Sequence, residues 1–431
     1  MTNSTIVYPP RTPTEPWVKT PLKYLAELSN GYVFSSQDWS AEGTPIIRIE
    51  NLNGSQDFNH STISIADRHH VTEGDLLFSW SGNPGTSFGP FRWDTPGLYF
   101  LNQHIFKVTA RNCDRNWLYW ALSAATHRIE RELTSGMIGM VHVTKEELSN
   151  FLIAVPPLEE QRRIADFLDT ETARIDQMVR LRQKQAFLLG KRFRAIRRNL
   201  VTGTREAPQL TQTIGWIGEV PRAWGTPRIS HVSRFIAGTT FPHSFQGAEA
   251  GDYPFIKVGD FELADGSNHL GQAKNWVSRA VAAELGARIV PPGAVLYARV
   301  GAALLLNRRR ITTRCSVIDD NVRAIVFRRG DPRYWANLLS FLDMGQLVNP
   351  GPVPSISESQ VASLHVPCPP DATQEAIANE LEKEKLLQRR LEGAMNLQLA
   401  KLAERRQALI TAAVTGQFDV SSASGRGVDL A

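Results

Sequence analysis

An internal repeat constrains the fold of this chain more than any other feature. The segments 161–203 and 374–416 are each 43 residues long and align without a gap at a constant offset of 213 residues. Each follows a double proline and ends in Val-Thr-Gly. A period this long indicates that a whole domain has been duplicated, because solenoid repeats are far shorter.

Weaker similarities precede each copy. PIIRIENL at 45–52 is similar to PFIKVGDF at 254–261, and VTEGDLLFSWSG at 71–82 is similar to VPPGAVLYARVG at 290–301. Their offsets differ from 213, which indicates insertions and deletions in loops. The chain is therefore expected to alternate between a variable region and a constant segment, twice.

The constant segments are expected to be long helices. Neither contains proline, both are rich in good helix formers, and apolar residues recur at spacings of three and four. About 40 residues give a helix of roughly 60 Å, which needs a partner for its apolar seam. We therefore predict that the two helices pair as an antiparallel coiled coil. The seam residues are Leu189, Phe193, Ile196 and Leu200 in the first copy, and Leu381, Leu391, Met395, Leu402 and Leu409 in the second.

The variable regions are expected to be mixed α/β globules. Short β-rich runs alternate with turn residues, and helices are predicted at 116–136 and 334–344. Both regions close with a capping-box pattern, Thr144 to Glu147 and Ser357 to Gln360. The predicted fold class is α+β, with two such globules joined by the two long helices. The predicted domains are globule 1 (1–156), the central helix (157–203), a linker (204–223), globule 2 (224–369), the C-terminal helix (370–416) and a disordered tail (417–431).

Composition narrows the class of protein. The 431 residues are 42% apolar and contain three scattered cysteines, which argues against a disulfide framework. No signal-peptide pattern and no long apolar run is present, so a cytoplasmic protein is expected. The net charge of +5 is unevenly distributed: residues 1–156 carry −3, whereas 207–367 carry +4. If the first globule binds nucleic acid, it must use a local basic patch that its total charge conceals.

Catalytic motifs are absent from the sequence. It contains no phosphate-binding loop, no His-Glu-x-x-His, no paired cysteines and no dinucleotide-binding glycine pattern. Gly85 to Gly89 fits G-x-S-x-G around Ser87, but the strand and helix of a nucleophile elbow are not expected there. We therefore expect no catalytic residue and no metal site, including at the pair His69–His70.

The chain resembles the DNA-specificity subunit of type I restriction–modification systems. The resemblance is carried by VPPLEEQRRIADFL at 155–168, GWIGEVPRAW at 215–224, EGDLLFS at 73–79 and LNQHIFKV at 101–108, together with the duplication. The second copy departs from the pattern, because PPDATQ lacks the glutamate before Gln374.

The resemblance implies a non-catalytic subunit of an adenine-N6 methyltransferase and ATP-dependent endonuclease complex. Each globule would be a target-recognition domain that reads one half of a bipartite, asymmetric DNA sequence, in a pseudo-twofold arrangement. The paired helices would set the spacing and dock two methyltransferase subunits, which motor–nuclease subunits would join. S-adenosylmethionine, ATP and Mg²⁺ would be bound by those partners and not by this chain.

Candidate residues follow from these expectations. Polar and basic side chains in loops after the matched strands are predicted to contact DNA, since arginine suits guanine and phosphate while asparagine suits adenine. These candidates are Ser79, Trp80, Ser81, Asn83, Thr86, Ser87 and His142 in the first globule, and Arg299, Arg308, Arg309, Arg310 and Asn349 in the second. The residues predicted to dock partners are Gln161, Ile164, Leu168, Gln374, Ile377 and Leu381.

Two other functions compete with this prediction. A duplicated coiled-coil scaffold that reads no sequence would explain the long helices but not the variable globules. A hydrolase that uses Ser87 would explain the G-x-S-x-G match but not its surroundings.

Overall fold

A computed structural model describes residues 17–83, 86–133, 141–204, 211–349, 351–417 and 419–420. The chain divides into two compact units. Unit 1 comprises Met1–Arg182 with Leu397–Ala431, and unit 2 comprises Gln183–Asn396. No helix in the described ranges is long and apolar enough to cross a membrane.

Two of the helices are much longer than the others and correspond to the repeated segments, as predicted. They are α4 and α10, and each contributes residues to both units. The helices of the described residues are α1 (Ile49–Leu52), α2 (Arg115–Leu133), α3 (Lys145–Asn150), α4 (Leu158–Thr202), α5 (Ile229–Val232), α6 (Arg279–Glu284), α7 (Ala302–Leu305), α8 (Pro332–Leu339), α9 (Glu358–Ala362) and α10 (Asp371–Val414).

Unit 1 contains two four-stranded sheets, ordered β2-β10-β6-β8 and β4-β3-β9-β5. Two smaller pairs, β1-β12 and β11-β7, complete it. The strands are β1 (Val18–Pro21), β2 (Ala26–Asn30), β3 (Thr44–Ile47), β4 (Asn59–Ser61), β5 (His70–Val71), β6 (Asp75–Ser79), β7 (Ser81–Gly82), β8 (Gly89–Trp93), β9 (Tyr99–Leu101), β10 (Ile105–Ala110), β11 (Val141–His142) and β12 (Leu152–Val155).

Unit 2 contains a five-stranded sheet, β15-β22-β19-β20-β17, a three-stranded sheet, β18-β16-β21, and the hairpin β13-β14. Its strands are β13 (Thr211–Ile214), β14 (Gly218–Pro221), β15 (Ser233–Ala237), β16 (Tyr253–Ile256), β17 (His269–Leu270), β18 (Asn275–Val277), β19 (Val295–Ala298), β20 (Arg310–Thr312), β21 (Val317–Ile318) and β22 (Val322–Phe327).

The same strand arrangement recurs in both units. In unit 1, β10 lies between β2 and β6, and β3 pairs with β9 in parallel and with β4 antiparallel. In unit 2, β22 lies between β15 and β19, and β16 pairs with β21 in parallel and with β18 antiparallel. The structure thus extends the duplication beyond the helices to the sheets.

Each long helix buries part of its apolar stripe in the core of each unit. In unit 1, the first part of α4 packs with the last part of α10, where Ile164 and Ile175 share one apolar cluster with Leu409. In unit 2, the last part of α4 packs with the first part of α10, where Leu200 shares a cluster with Leu381. The start of one helix therefore packs with the end of the other in each unit, which is the antiparallel pairing that the apolar spacing predicts.

The two capping boxes expected from the sequence are confirmed. The side chains of Thr144 and Glu147 form a capping box at the start of α3, and those of Ser357 and Gln360 form one at the start of α9. The glycines that end the two Val-Thr-Gly sequences have φ of 68° and 69°. This left-handed conformation is common just after a helix and favours glycine. The two glycines are Gly203 and Gly416.

The segment expected to be a linker contains ordered structure. Its strands β13 and β14 form a hairpin whose residues Ile214, Ile217 and Val220 are buried in the core of unit 2. Residues 205–210 of this segment lie outside the described residues, as do 418 and 421–431 of the expected tail. The domain boundaries given above stay predictions.

Candidate nucleic-acid interface

The candidate site of unit 1 lies where β6 ends. Trp80, the next residue, donates its backbone amide to the carbonyl oxygen of His104 (3.4 Å) and its indole Nε1 to that of Gln103 (3.0 Å). These acceptors belong to the turn 102–104 between β9 and β10, which we call corner 1. The Trp80 ring, which is only partly buried, is thereby held against corner 1.

Two histidine rings contact Trp80. The centroid of the His142 ring lies 4.7 Å from that of Trp80 at an interplanar angle of 86°, and the centroid of the His104 ring lies 5.3 Å away. Both histidines are exposed. His142 is placed by β11, where it pairs with Ser81 of β7. An aromatic patch with exposed edges can stack on a base or donate hydrogen bonds to DNA.

The loop that follows β7 is closed by its own polar groups. The amide of Asn83 donates to Ser87 Oγ (2.7 Å), and the Asn83 carbonyl oxygen accepts from the amides of Thr86 (3.3 Å) and Ser87 (3.1 Å). Ser87 is buried, whereas Asn83 and Thr86 are exposed. Ser79 and Ser81 are buried as well. Of the predicted DNA-contacting residues of unit 1, the three serines are therefore inaccessible and the others are not.

The corresponding place in unit 2 is occupied by Arg299. Its amide donates to the carbonyl oxygen of Asn321 (2.9 Å), and its carbonyl oxygen accepts from the amide of Ile356 (3.0 Å). In unit 1, the Trp80 carbonyl oxygen accepts from the amide of Val143, also at 3.0 Å. We call the turn 319–321, between β21 and β22, corner 2. Arg299 is thus the structural counterpart of Trp80.

Asn349 lies at the same edge of unit 2 as Arg299. Ser355 forms a bridge with Val300, the residue after Arg299, and another with Asn349. The exposed side chain of Asn349 accepts a hydrogen bond from Gln360 Nε2 (2.9 Å), so the capping box of α9 anchors it. The structure therefore brings together these two predicted residues, which are 50 positions apart in the sequence.

The three consecutive arginines of unit 2 do not act as one exposed tract. Arg308 pairs with Glu262 (3.2 Å), and Arg310 donates through Nε to the carbonyl oxygen of Phe261 (2.6 Å). Arg309 is buried and donates to a backbone carbonyl oxygen at 3.1 Å. Burial lowers the pKa of the Arg309 guanidinium to about 10. Direct contact between DNA and Arg309 would require the local fold to open.

The six helix residues predicted to dock partners are all buried within their own unit. The side chain of Gln161 donates to the carbonyl oxygen of Pro156 and accepts from the amide of Asp114, and Gln374 donates to the carbonyl oxygen of Pro369. A partner that binds these helices would therefore contact their exposed faces instead. The apolar members of the set lie in the unit cores: Ile164, Leu168, Ile377 and Leu381.

Sequence reasoning did not single out the two corners as candidate sites. Corner 1 contains Gln103 and His104, and corner 2 contains Asp320 and Asn321. Burial and the neighbouring Asp319 raise the pKa of the Asp320 carboxyl. The signal that could have found the corners is the similar placement of LNQHIFKV at 101–108 and of IDDNVRAI at 318–325.

A glycine packs against each corner. A Cβ atom on Gly31 would collide with the carbonyl oxygen of Asn102, and one on Gly238 would collide with that of Asp319. The residues that follow these glycines form parallel bridges with Asn102 and Asp319. The close approach of two backbones therefore fixes each corner.

Metal ligands do not cluster in the described part of the chain: no group of three or more His, Cys, Asp or Glu side chains could hold an ion there. His69 is buried, and its Nδ1 lies 2.8 Å from the carbonyl oxygen of Asn30. His70 instead lies beside Asp67.

Comparison with known proteins relates this chain to one family. Residues 14–184 match the family described as "Type I restriction modification DNA specificity domain". The chain is 28% identical over 193 residues to the type I restriction enzyme EcoBI specificity subunit of Escherichia coli, covering 43% of this chain and 39% of that protein. It is 28% identical over 177 residues to the MjaVIII specificity subunit of Methanocaldococcus jannaschii, covering 40% of this chain and 39% of that protein. The matched part is thus about two fifths of the length of these relatives.

Solved structures share the fold over nearly the whole chain. A chain from a study of complex assembly and conformational transition of the type I R-M system has a TM-score of 0.69 at 18% identity, covering 96% of this chain and all of that one. The HsdS subunit from Thermoanaerobacter tengcongensis has a TM-score of 0.55 at 18% identity, covering 97% of this chain and all of that one. Residues 14–184 of this chain are therefore similar to a type I restriction modification DNA specificity domain, and the chain resembles the specificity subunits of type I restriction–modification systems.

Proposed function

We propose that this chain is the specificity subunit of a type I restriction–modification complex and that each unit reads one half of a bipartite DNA target. The observation that carries the proposal is the repeated corner. In each unit, equivalent backbone hydrogen bonds fix one partly exposed residue beside the corner. That residue is Trp80 in unit 1 and Arg299 in unit 2.

The chemistry of the two edges predicts an asymmetric target. Arg299 and Asn349 in unit 2 suit guanine and adenine edges in the major groove, respectively. Trp80, His104 and His142 in unit 1 suit stacking and single hydrogen bonds. Because different side chains stand at matched positions, the two half-sites should differ in sequence.

The long helices are proposed to set the distance between the half-sites and to dock two methyltransferase subunits. A continuous helix keeps a fixed length, whereas a flexible linker does not. Half-sites that are read from one face of DNA lie about one helical turn, roughly 34 Å, apart. Since Gln161, Gln374 and their apolar neighbours are buried, docking would use the exposed faces of α4 and α10.

The chain is proposed to catalyse no reaction itself. Its methyltransferase partners would bind S-adenosylmethionine and methylate adenine N6, and motor–nuclease partners would bind ATP and Mg²⁺ for cleavage in the cytoplasm. The target adenine must leave the base stack to be methylated, so the bound complex must allow base flipping. A scaffold that reads no sequence is not favoured, because residues 14–184 match a DNA specificity domain.

The test is co-expression of the chain with its methyltransferase in a host that lacks adenine methylation. Single-molecule sequencing should then show one bipartite methylated motif. The variant Arg299→Ala should change only the half read by unit 2, while Trp80→Ala should change only the other half. A copurified complex that methylates no defined motif would contradict the proposal.

A further inference from the structure

We propose that Arg48 in unit 1 and Lys257 in unit 2 are matched cations that bind DNA phosphates beside the two corners. This inference rests on the proposed function and adds a pair of residues to it. Both residues lie outside the dense basic tracts of the sequence, which are 191–198, 307–314 and 327–329.

The two cations occupy the same place in the fold. Arg48 follows β3 and Lys257 follows β16, which are the matched strands. The carbonyl oxygen of the residue before Arg48 accepts from the amide of Asn102 (3.1 Å), and that of the residue before Lys257 accepts from the amide of Asp319 (3.0 Å). Each cation is therefore one residue away from a backbone hydrogen bond to its corner.

The same corners contact the candidate reading residues. Trp80 bonds to corner 1 through Gln103 and His104, and Arg299 bonds to corner 2 through Asn321. Each edge therefore carries a candidate base-reading side chain on one side of the corner and a cation on the other. A protein that binds a specific DNA sequence needs both kinds of contact, because phosphate contacts position the protein and base contacts specify the sequence.

The backbone of each cation is fixed. The amide of Arg48 donates to Asn51 Oδ1 (2.9 Å), and the amide of Lys257 donates to Asp260 Oδ2 (2.8 Å). Each bond begins a short helical segment directly after the strand. Both side chains therefore leave the backbone at matched, ordered positions, which lowers the entropy lost on binding.

An aromatic ring supports each cationic head group. Arg48 Cζ lies 5.7 Å from the centroid of the Trp39 ring, and Lys257 Nζ lies 5.0 Å from that of Phe241. Each head group also donates to a side-chain amide oxygen, at 2.7 Å for Arg48 and 3.0 Å for Lys257. Rings and amides hold a cation in place without neutralising its charge. The amide oxygens belong to Asn59 and Gln246, respectively.

An exposed contact with Glu50 leaves Arg48 able to bind a phosphate. Glu50 lies 3.1 Å from Arg48 Nη1, but both side chains are substantially exposed, at 51% and 38%. Such pairs are weak because water screens them. A guanidinium has five donors in a planar fork, and an ammonium group has three, so both cations retain donors for a ligand.

Arginine at one matched position and lysine at the other favour a phosphate as the common ligand. Both residue types can contact guanine, but arginine does so with a planar fork and lysine with a compact charge, so they are not equivalent there, whereas both bind phosphate oxygens. The role common to the two positions is therefore phosphate contact. In unit 1 this cation also supplies local positive charge to a globule region, 1–156, whose net charge is −3.

The test uses the full chain assembled with its methyltransferase. Binding to labelled DNA duplexes, both target and non-target, is measured over a series of salt concentrations for Arg48→Gln and Lys257→Gln. Each variant should weaken binding about tenfold. Each should also reduce the slope of log K against log salt by about 0.9, the value expected for one lost phosphate contact. The methylated motif should stay unchanged.

Matched controls exist in each unit. Arg111 and Arg328 follow β10 and β22 at the ends opposite the corners, and their amides bond to backbone carbonyl oxygens. Arg111→Gln and Arg328→Gln should leave affinity and salt slope unchanged. The exchanges Arg48→Lys and Lys257→Arg should restore the slope, which separates loss of charge from loss of fold.

The outcomes separate this inference from the proposed function. If the wild-type complex prefers its target but both glutamine variants keep full affinity and slope, the phosphate contacts are refuted and the proposed function stands. A changed methylation motif would also refute them, because it would mean base reading. If the wild-type complex shows no target preference, the proposed function fails, and the slopes on non-target DNA still decide the role of the cations.

Discussion

Arg92 Nη1 donates a 2.7 Å hydrogen bond to Asp169 Oδ1, which joins the strand after the candidate loop of unit 1 to the long helix α4. The same carboxylate oxygen accepts from Trp120 Nε1 of α2 (2.8 Å). The Arg92 guanidinium also lies 4.3 Å from the centroid of the Tyr119 ring. The Asp169 carboxylate of α4 thus links strand β8 and helix α2 by hydrogen bonds.

Replacing Asp169 by alanine should lower the free energy of unfolding by about 2 kcal/mol, because two donors lose a charged acceptor. Chemical denaturation of the purified chain measures this. The matched control is Glu159→Ala on the same helix, whose pair with Arg162 is exposed and should contribute about 0.5 kcal/mol or less. Equal effects of the two changes would contradict the structural role of Asp169.

The matched glutamines of the long helices should differ in importance. Gln161→Leu leaves two backbone groups unpaired, the amide of Asp114 and the carbonyl of Pro156. Gln374→Leu leaves only the carbonyl of Pro369, because Gln374 Oε1 has no hydrogen-bond partner in the described part of the chain. At about 1–3 kcal/mol for each unpaired buried group, Gln161→Leu should be the more destabilising. Thermal unfolding of the two variants in parallel tests this order.

The capping boxes should respond differently to acid. Hydrogen bonds from the Thr144 side chain and amide lower the pKa of the Glu147 carboxyl, so its contribution to stability is present above its ordinary pKa of 4.5 and is lost as the pH falls through the lowered value. The change Glu147→Gln gives the capping box of α3 an uncharged side chain, as Gln360 does in the capping box of α9. The variant should be slightly less stable than the wild type near neutral pH, and the gap should close in acid.

Melting temperatures measured from about pH 7 to about pH 3 check this expectation. A gap between wild type and Glu147→Gln that widens as the pH falls would contradict the assigned sign.

Adding a methyl group at Gly31 or Gly238 should displace the adjacent corner, because the new Cβ would collide with a backbone carbonyl oxygen. We expect a loss of about 1–3 kcal/mol in stability for each alanine variant. Methylation sequencing should show a weakened preference at the corresponding half-site only. Gly190→Ala, in α4 with open space around it, should instead stabilise the chain by up to about 1 kcal/mol.

Local patterns predicted much of this fold correctly. The spacing of apolar residues predicted α4 and α10 to within two or three residues at each end, and the Thr144 and Ser357 motifs predicted the starts of α3 and α9. Helix periodicity and capping depend on residues a few positions apart, which the sequence displays directly.

The candidate site was predicted less completely. The loop after β6 and its counterpart after β19 were identified as matched positions, but the burial of Ser79, Ser87 and Arg309 was not. Whether a polar side chain faces solvent depends on which distant segment packs over it. Arg309, for example, is buried where its guanidinium donates to the carbonyl oxygen of Leu342, 33 residues further along the chain.

The sequence by itself determined that the chain is a duplication, that its repeated segments are long paired helices, and which family it resembles, because these follow from periodicity and local motifs. Only the tertiary structure showed the two corners, where Ile47 meets Asn102 and Ile256 meets Asp319. These contacts join strands more than fifty residues apart, and the pairing of such strands is set by the packing of the whole unit rather than by any local pattern.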